Sequence, residues 1–265
     1  MRYLLLILLL VTTGTITKAQ SNSFNIGVVD AIQSSELSEK RVLNIYLPEG
    51  YSDTIAYPVI YLLDGSANED FIHIAGLMQY LNMYELAPKS IVVGIANVDR
   101  RRDFTTPSTL PGDLKLIPVN GGSAKFISFI EKELQPYIQK KYKTTPERTI
   151  IGQSLGGLLA TEILLNKPQL FTHYIIVSPS LWWNKEKMLN EAPDLLKANL
   201  HTKAKVYLSV GTEGKEMEEG TKKLAAILKA NKNLQFYFAP FPDESHMTIL
   251  HRSVYRGFEM LYQKK

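Results

Sequence analysis

The hexapeptide Gly152-Gln153-Ser154-Leu155-Gly156-Gly157 sets a serine between glycines, with the apolar run Thr149–Ile151 before it and Leu155–Leu165 after it. A serine hydroxyl becomes a useful nucleophile only when a base takes its proton. On a sharp strand-to-helix turn such a hydroxyl would stand clear of the sheet. The residues two before and two after it would crowd together, which calls for glycine at 152 and 156. A helix starting at Leu155 would also place its positive end where an oxyanion develops. The G-x-S-x-G spacing therefore points to Ser154 as a nucleophile in acyl transfer.

The base must come from five histidines. In folds built around this turn the chain order is serine, acid, histidine, with the histidine in the loop after the last strand. His246, in Pro242-Asp243-Glu244-Ser245-His246-Met247, follows the apolar run 234–239 and precedes a closing helix. His73 and His173 adjoin the wrong elements, His201 precedes a strand, and His251 falls inside the closing helix. The acid is expected after the penultimate strand, where Lys205–Val210 runs into Gly211-Thr212-Glu213-Gly214. Glu213 is the candidate, with Glu216 and Asp243 as alternatives. Two backbone N–H groups would form the oxyanion hole. One is that of Leu155, and the other comes from the turn Asp64-Gly65-Ser66, where Gly65 or Ser66 could donate.

Two further segments offer a substrate surface. In Ser178-Pro179-Ser180-Leu181-Trp182-Trp183 the indoles of Trp182 and Trp183 could form an apolar wall or a sugar platform, or could pack the segment onto the core. In Asp99-Arg100-Arg101-Arg102-Asp103, Arg101 and Arg102 could bind an anionic or polyhydroxylated ligand, or could pair with the flanking aspartates. Scattered histidines and carboxylates show no metal-ligand spacing, so no metal is expected.

The elements that must position these residues follow from the hydrophobic pattern. Strands are expected at 41–47, 58–63, 90–96, 149–152, 174–178, 205–210 and 234–239. Helices are expected at 123–142, 155–165, 221–230 and 248–262. The central strands are apolar throughout, as in a parallel sheet covered on both faces by helices. The expected architecture is thus α/β, with a mostly parallel sheet in one domain over residues 20–265. The segment 180–203 is a small insertion before the penultimate strand, placed to act as a lid or pocket wall.

Composition narrows the class. The chain has 265 residues, 45% hydrophobic and 21% charged, which suits an ordinary globular core. A formal charge of +4 without a long basic run argues against nucleic acid as partner. Arg2, the apolar run Leu4–Val11 and Thr17-Lys18-Ala19 read as a signal peptide cleaved after Ala19, shorter than a membrane span. Exported protein in the periplasm or outside the cell is the expectation, with no stable membrane insertion after cleavage. The absence of cysteine excludes disulfides, thiol catalysis and cysteine metal sites.

Five blocks in order carry a resemblance: Tyr57–Gly65, Val98–Thr105, Gly152–Gly157, Ser178–Trp183 and Glu244–Met247. Together they resemble the esterase D-like family of esterases, nearest its bacterial siderophore-esterase-like branch, over nearly all of residues 24–262. The resemblance implies an α/β-hydrolase fold and cofactor-free hydrolysis of carboxylic esters, with the nucleophile at Ser154 and the base at His246. Gln153 departs from the family, where histidine is frequent, and bears on the shape of the pocket. The expected substrate is a small-molecule or glycan ester, either an acylated sugar or an ester-linked siderophore. Alternatives are an acyltransferase, in which an alcohol replaces water, and a non-catalytic carbohydrate- or siderophore-binding module on the same scaffold.

Overall fold

The computed structural model describes residues 24–199 and 203–262; the expected signal peptide, residues 1–19, and His201 lie outside these. In chain order the elements are β1 (Val28–Ser34), β2 (Glu39–Tyr46), β3 (Tyr57–Leu62), α1 (Phe71–Met83), β4 (Ile91–Ile95), α2 (Arg100–Asp103), α3 (Pro111–Leu116), α4 (Ser123–Phe129) and α5 (Gln135–Lys141). They continue as β5 (Thr144–Gln153), α6 (Leu155–Asn166), β6 (His173–Val177), α7 (Trp183–Ala198), β7 (Ala204–Gly211), α8 (Lys215–Ala230), β8 (Leu234–Phe241) and α9 (Ile249–Tyr262).

The eight strands form one sheet in the order β1-β2-β4-β3-β5-β6-β7-β8. β2 runs antiparallel to both β1 and β4, and every pair from β4 through to β8 is parallel. Alternation explains why the central strands carry so few polar residues. Val59 and Tyr61 face the core cluster shared with α4 to α8, while Ile60 and Leu62 face the cluster shared with α1 and α9. With both faces covered, a polar residue at either parity would be buried without partners. Because β3 to β8 are parallel, their carboxyl ends share one edge, and the loops that follow them collect there.

Three departures from the sequence pattern have physical causes. The expected helix 123–142 is α4 and α5 joined by a wide π turn at Ile130–Leu134. Pro136, in the first turn of α5, has no N–H to donate backward, and a wide turn absorbs the missing bond. The apolar face is kept throughout, with Phe126, Phe129, Ile130, Leu134 and Ile138 all buried. The segment 180–203 contains α7, which contributes none of the residues lining the Ser154 cleft. Met188, Leu189, Ala192 and Leu196 bury one of its faces in the core, so it forms part of the covering layer. Finally, β1, α1 and the short helices α2 and α3 add to the expected elements. α1 has apolar Ile72 and Tyr80 toward solvent opposite its buried face, which blurs the stripe by which a helix is recognised. Among the described residues no helix is long and apolar enough to cross a membrane.

Candidate active site

Ser154 links β5 to α6 with φ 60° and ψ −119°, a backbone conformation costly for any residue with a side chain. The turn is tight enough that a Cβ on Gly152 would lie 2.4 Å from the Gly156 carbonyl oxygen. The second glycine that cannot be replaced is Gly157, where a Cβ would come within 2.9 Å of the Val177 carbonyl oxygen. A Cβ on Gly156 itself would meet only ordinary contacts, the nearest at 3.4 Å. The elbow is pinned by the Ser154 N–H donating to Val177 O (3.0 Å) and by the Ser180 N–H donating to Ser154 O (3.0 Å). Ser154 Oγ rests 3.3 Å from Ser180 Oγ.

Ser154 and His246 line one cleft of about 630 Å³ at the carboxyl edge of the sheet. His246 stands in the loop between β8 and α9, and its Nδ1 lies 2.5 Å from Glu213 Oε2. Glu213, just after β7, has a side chain only 1% exposed, whereas that of His246 is 36% exposed. The other carboxylate oxygen, Oε1, accepts from Ser178 Oγ (2.5 Å) and from the Gly211 N–H (2.8 Å). Burial works to raise the Glu213 carboxyl, but the hydrogen bonds from His246, Ser178 and Gly211 outweigh it and hold the group below the usual carboxylate value. With a carboxylate at Nδ1, the tautomer that donates to it presents Nε2 as the acceptor. Neither alternative acid pairs with His246. Glu216 lies at the start of α8, and Asp243 precedes the histidine in its own loop. Gln153 Nε2 donates to the His246 carbonyl oxygen (2.5 Å), tying the histidine loop to the elbow.

The oxyanion candidates divide. As the first residue of α6, Leu155 has an N–H that the helix leaves unpaired, next to the serine. Gly65, one of the two candidates for the second donor, is corrected: its N–H is spent on the Ile95 carbonyl (3.0 Å). Gly65 is a close-packing glycine, since a Cβ there would lie 2.4 Å from Gly94 Cα. That leaves Ser66, whose N–H makes a longer bond (3.2 Å) to the exposed Glu69 carboxylate.

The aromatic and arginine candidates also need correction. Trp183 is 1% exposed, and its Nε1 donates to Thr106 O (2.9 Å), so it is a core residue and offers no surface to a ligand. Trp182 is half-buried on a separate shallow cleft with Leu116, Lys185 and Glu216. Arg102 is held by Asp103 (2.7 Å) and Glu39 (2.7 Å) in a cluster that includes the fully buried Arg41. Arg101 is exposed and donates to the Leu116 carbonyl (3.3 Å). The arginine that lines the Ser154 cleft is Arg100, which grips Asp64 through two bonds (2.6 and 2.8 Å) and reaches Gln153 O (3.3 Å).

Asp70, His73 and His251 line the same cleft without any motif to announce them. His73 Nε2 and His251 Nδ1 are 2.8 Å apart, joining α1 to α9; burial and the neighbouring ring both lower the pKa of His73. The available signal was positional, because Asp70 and His73 open the helix after β3, at the edge where ligands bind. Among the described residues, no group of three or more histidine, cysteine or carboxylate side chains is disposed to hold a metal ion.

Comparison with known proteins places this geometry. A family profile described as "Putative esterase" matches residues 34–248. Ferri-bacillibactin esterase BesA of Bacillus subtilis is 31% identical over 90% of this chain and 91% of its own length. Among solved structures, an IroE-like serine hydrolase from Shewanella oneidensis superposes with a TM-score of 0.78 at 30% identity, covering 89% of this chain and 80% of that one. The BES protein from Bacillus cereus superposes at 0.81 with 28% identity, covering 92% and 98%.

Proposed function

The chain belongs to the "Putative esterase" family and is a carboxylic ester hydrolase of the serine hydrolase kind, and from that premise we propose that it is an exported enzyme cleaving ester-linked siderophores through Ser154, His246 and Glu213. The observation that carries the residue assignment is the buried Glu213 carboxylate on His246 Nδ1, in a cleft shared with a serine on a strained turn.

In this mechanism Ser154 Oγ leaves its resting contact with Ser180 and attacks the ester carbonyl carbon while His246 Nε2 takes its proton. Glu213 holds the ring and stabilises the imidazolium that forms. The tetrahedral oxyanion is held by the N–H groups of Leu155 and Ser66, each such donor contributing about 3–4 kcal/mol of barrier reduction. Collapse expels the alcohol, which takes the proton from His246. Water then repeats the sequence on the acyl-enzyme and releases the acid.

The substrate assignment rests on relatives named for siderophore esters, the ferri-bacillibactin esterase above all. Acylated sugars lose one support, because the Trp183 indole is enclosed in the core. Export rests on the pattern of residues 1–19 and is tested by the N-terminal sequence of the protein recovered from its cells, which should begin at Gln20. The test of the chemistry is hydrolysis of p-nitrophenyl butyrate and of a ferric siderophore lactone by the wild type beside Ser154→Ala, with fluorophosphonate labelling of the serine. Turnover that survives in the variant would exclude the mechanism.

A further inference from the structure

The parallel strands β5, β6, β7 and β8 lie side by side, and Ser154, Glu213 and His246 follow β5, β7 and β8. The end of β6, between the nucleophile's strand and the acid's, supplies Ser178-Pro179-Ser180, which touches both. Ser180 meets the nucleophile, through its N–H on Ser154 O (3.0 Å) and its hydroxyl 3.3 Å from Ser154 Oγ. Ser178 meets the acid, donating through Oγ to Glu213 Oε1 (2.5 Å). It is fully buried, so solvent cannot take the place of that hydroxyl. Its backbone has φ 42°, in the left-handed region that glycine adopts without strain, and the Ser178 N–H on Ser209 O (2.9 Å) holds it there. A serine at this φ carries a cost that glycine would not, and what its side chain adds is the bond to Glu213. On its other side Oε1 lies against Gly211, whose N–H donates to it (2.8 Å) and where a Cβ would come within 2.9 Å of it. The Gly211 bond spans two residues and travels with its own loop. The Ser178 bond crosses 35 positions and ties Glu213 to a different strand end.

We propose that Ser178 is a positioning residue of this hydrolase, holding Glu213 in the rotamer that turns Oε2 to His246 Nδ1. The inference rests on the reading of Ser154, His246 and Glu213 as the catalytic set and deepens it. A carboxylate turns about its last bond and offers two equivalent oxygens. Donors fixed on Oε1 decide which oxygen faces the histidine and in what plane. Without the Ser178 hydroxyl, a buried oxygen keeps one donor instead of two, and rotation of the carboxylate away from Nδ1 relieves that loss. His246 then loses the orientation that acylation and deacylation both require. Ester binding is left intact, because neither Ser178 nor Glu213 is among the residues lining the cleft. The same bond helps to hold the Glu213 carboxyl below its ordinary value, and so keeps it ionised opposite the ring.

The test is a double-mutant cycle on hydrolysis of p-nitrophenyl butyrate. In the wild-type background Ser178→Ala should lower kcat by about ten- to hundredfold, the contribution of one hydrogen bond to a buried charged group, with KM within about twofold. In the Glu213→Gln background the same change should cost less than about threefold, since the group through which Ser178 acts is already gone. Ser178→Gly suits the backbone angle and removes the same donor, so it carries the test if Ser178→Ala does not fold. The low-field proton resonance of the His246–Glu213 bond should be present in the wild type and shifted or lost in either variant. An unchanged kcat in the folded variants, or an equal loss in both Glu213 backgrounds, would overturn the role of Ser178 and leave the esterase reading standing. No turnover by the wild type, with no fluorophosphonate label on Ser154, would bring down both.

Discussion

Arg100 and Arg102 are separated by one residue in α2, and they serve two different ionic clusters. Arg100 turns toward the cleft, grips Asp64, and sits beside Ser154 and Asp70, with its side chain 32% exposed. Arg102, with its side chain 31% exposed, bonds Asp103 and Glu39, and behind it lies a closed pair, Arg41 and Asp103, with side chains 0% and 1% exposed. Two equally exposed arginines in one turn of helix thus lead to different environments, one an open cleft and the other a closed ion pair. In the closed cluster, removing one partner strands a charge that water cannot reach, and the whole molecule loses stability. In the open cluster, water screens the loss, and the effect falls on whatever binds there. The comparison implies two separable readouts: turnover for the cleft and melting for the core.

The largest expected effect is in the cleft. Ser154→Ala should lower kcat on p-nitrophenyl butyrate by about 10⁴–10⁶ while leaving the melting temperature within a few degrees. Glu213→Gln should follow, with kcat reduced by about 10³–10⁴ through loss of the imidazole's partner. It also carries a pH signature. The Glu213 carboxyl is held below its ordinary value in the folded state, so its stabilising contribution is present above the unfolded-state value and disappears as pH falls through the folded one. Denaturant midpoints between pH 2 and 6 should show a shallower acid limb in the variant.

The core cluster comes next and should reverse the readout. Asp103→Asn should cost about 3–5 kcal/mol in urea unfolding, with kcat/KM of the folded fraction within twofold of wild type. A large loss of turnover at wild-type stability would erase the distinction between the clusters. Asp70→Asn should be smaller and opposite in sign. The Asp70 carboxyl is raised in the folded state, so its charge costs stability as pH rises from about 4 to about 6. Screening in the open cleft limits this to about 1 kcal/mol, and the variant should be the more stable protein at pH 8 but not at pH 4. Arg101→Ala should be the quietest, within about 0.5 kcal/mol of wild-type stability and twofold in kcat/KM, because that side chain belongs to neither cluster.

What the sequence reveals of this molecule follows the range of the interactions involved. The central strands are legible because burial on both faces leaves them almost wholly apolar. The elbow is legible because its glycines stand within a few residues of the serine they accommodate. The meeting of Glu213 with His246 is legible from chain order, since the fold carries the ends of β7 and β8 to one edge. The misread residues depend on distant partners. Gly65 is glycine because of Gly94, and Trp183 is buried under a hydrogen bond to Thr106. Nothing within ten residues of either of them announces these neighbours. Asp70 and the His73–His251 pair escape for the same reason, because their significance arises only once α1 and α9 lie side by side at the cleft.

The bond from Gln153 to the His246 carbonyl links the residue beside the nucleophile to the main chain of the loop bearing the proposed base, across 93 positions of sequence. A side chain at 153 is ordinarily thought of as pocket lining; here it works as a mechanical tie. The loop between β8 and α9 is thereby restrained through its backbone and its histidine ring through Glu213, so that ring translation and ring rotation have separate restraints. The disorder that would otherwise have to be removed in each catalytic cycle is removed once, during folding. Shortening the tie, as in Gln153→Ala, should therefore appear as slower acylation at unchanged ester affinity, the kinetic mark of a base that must first be found in the right place.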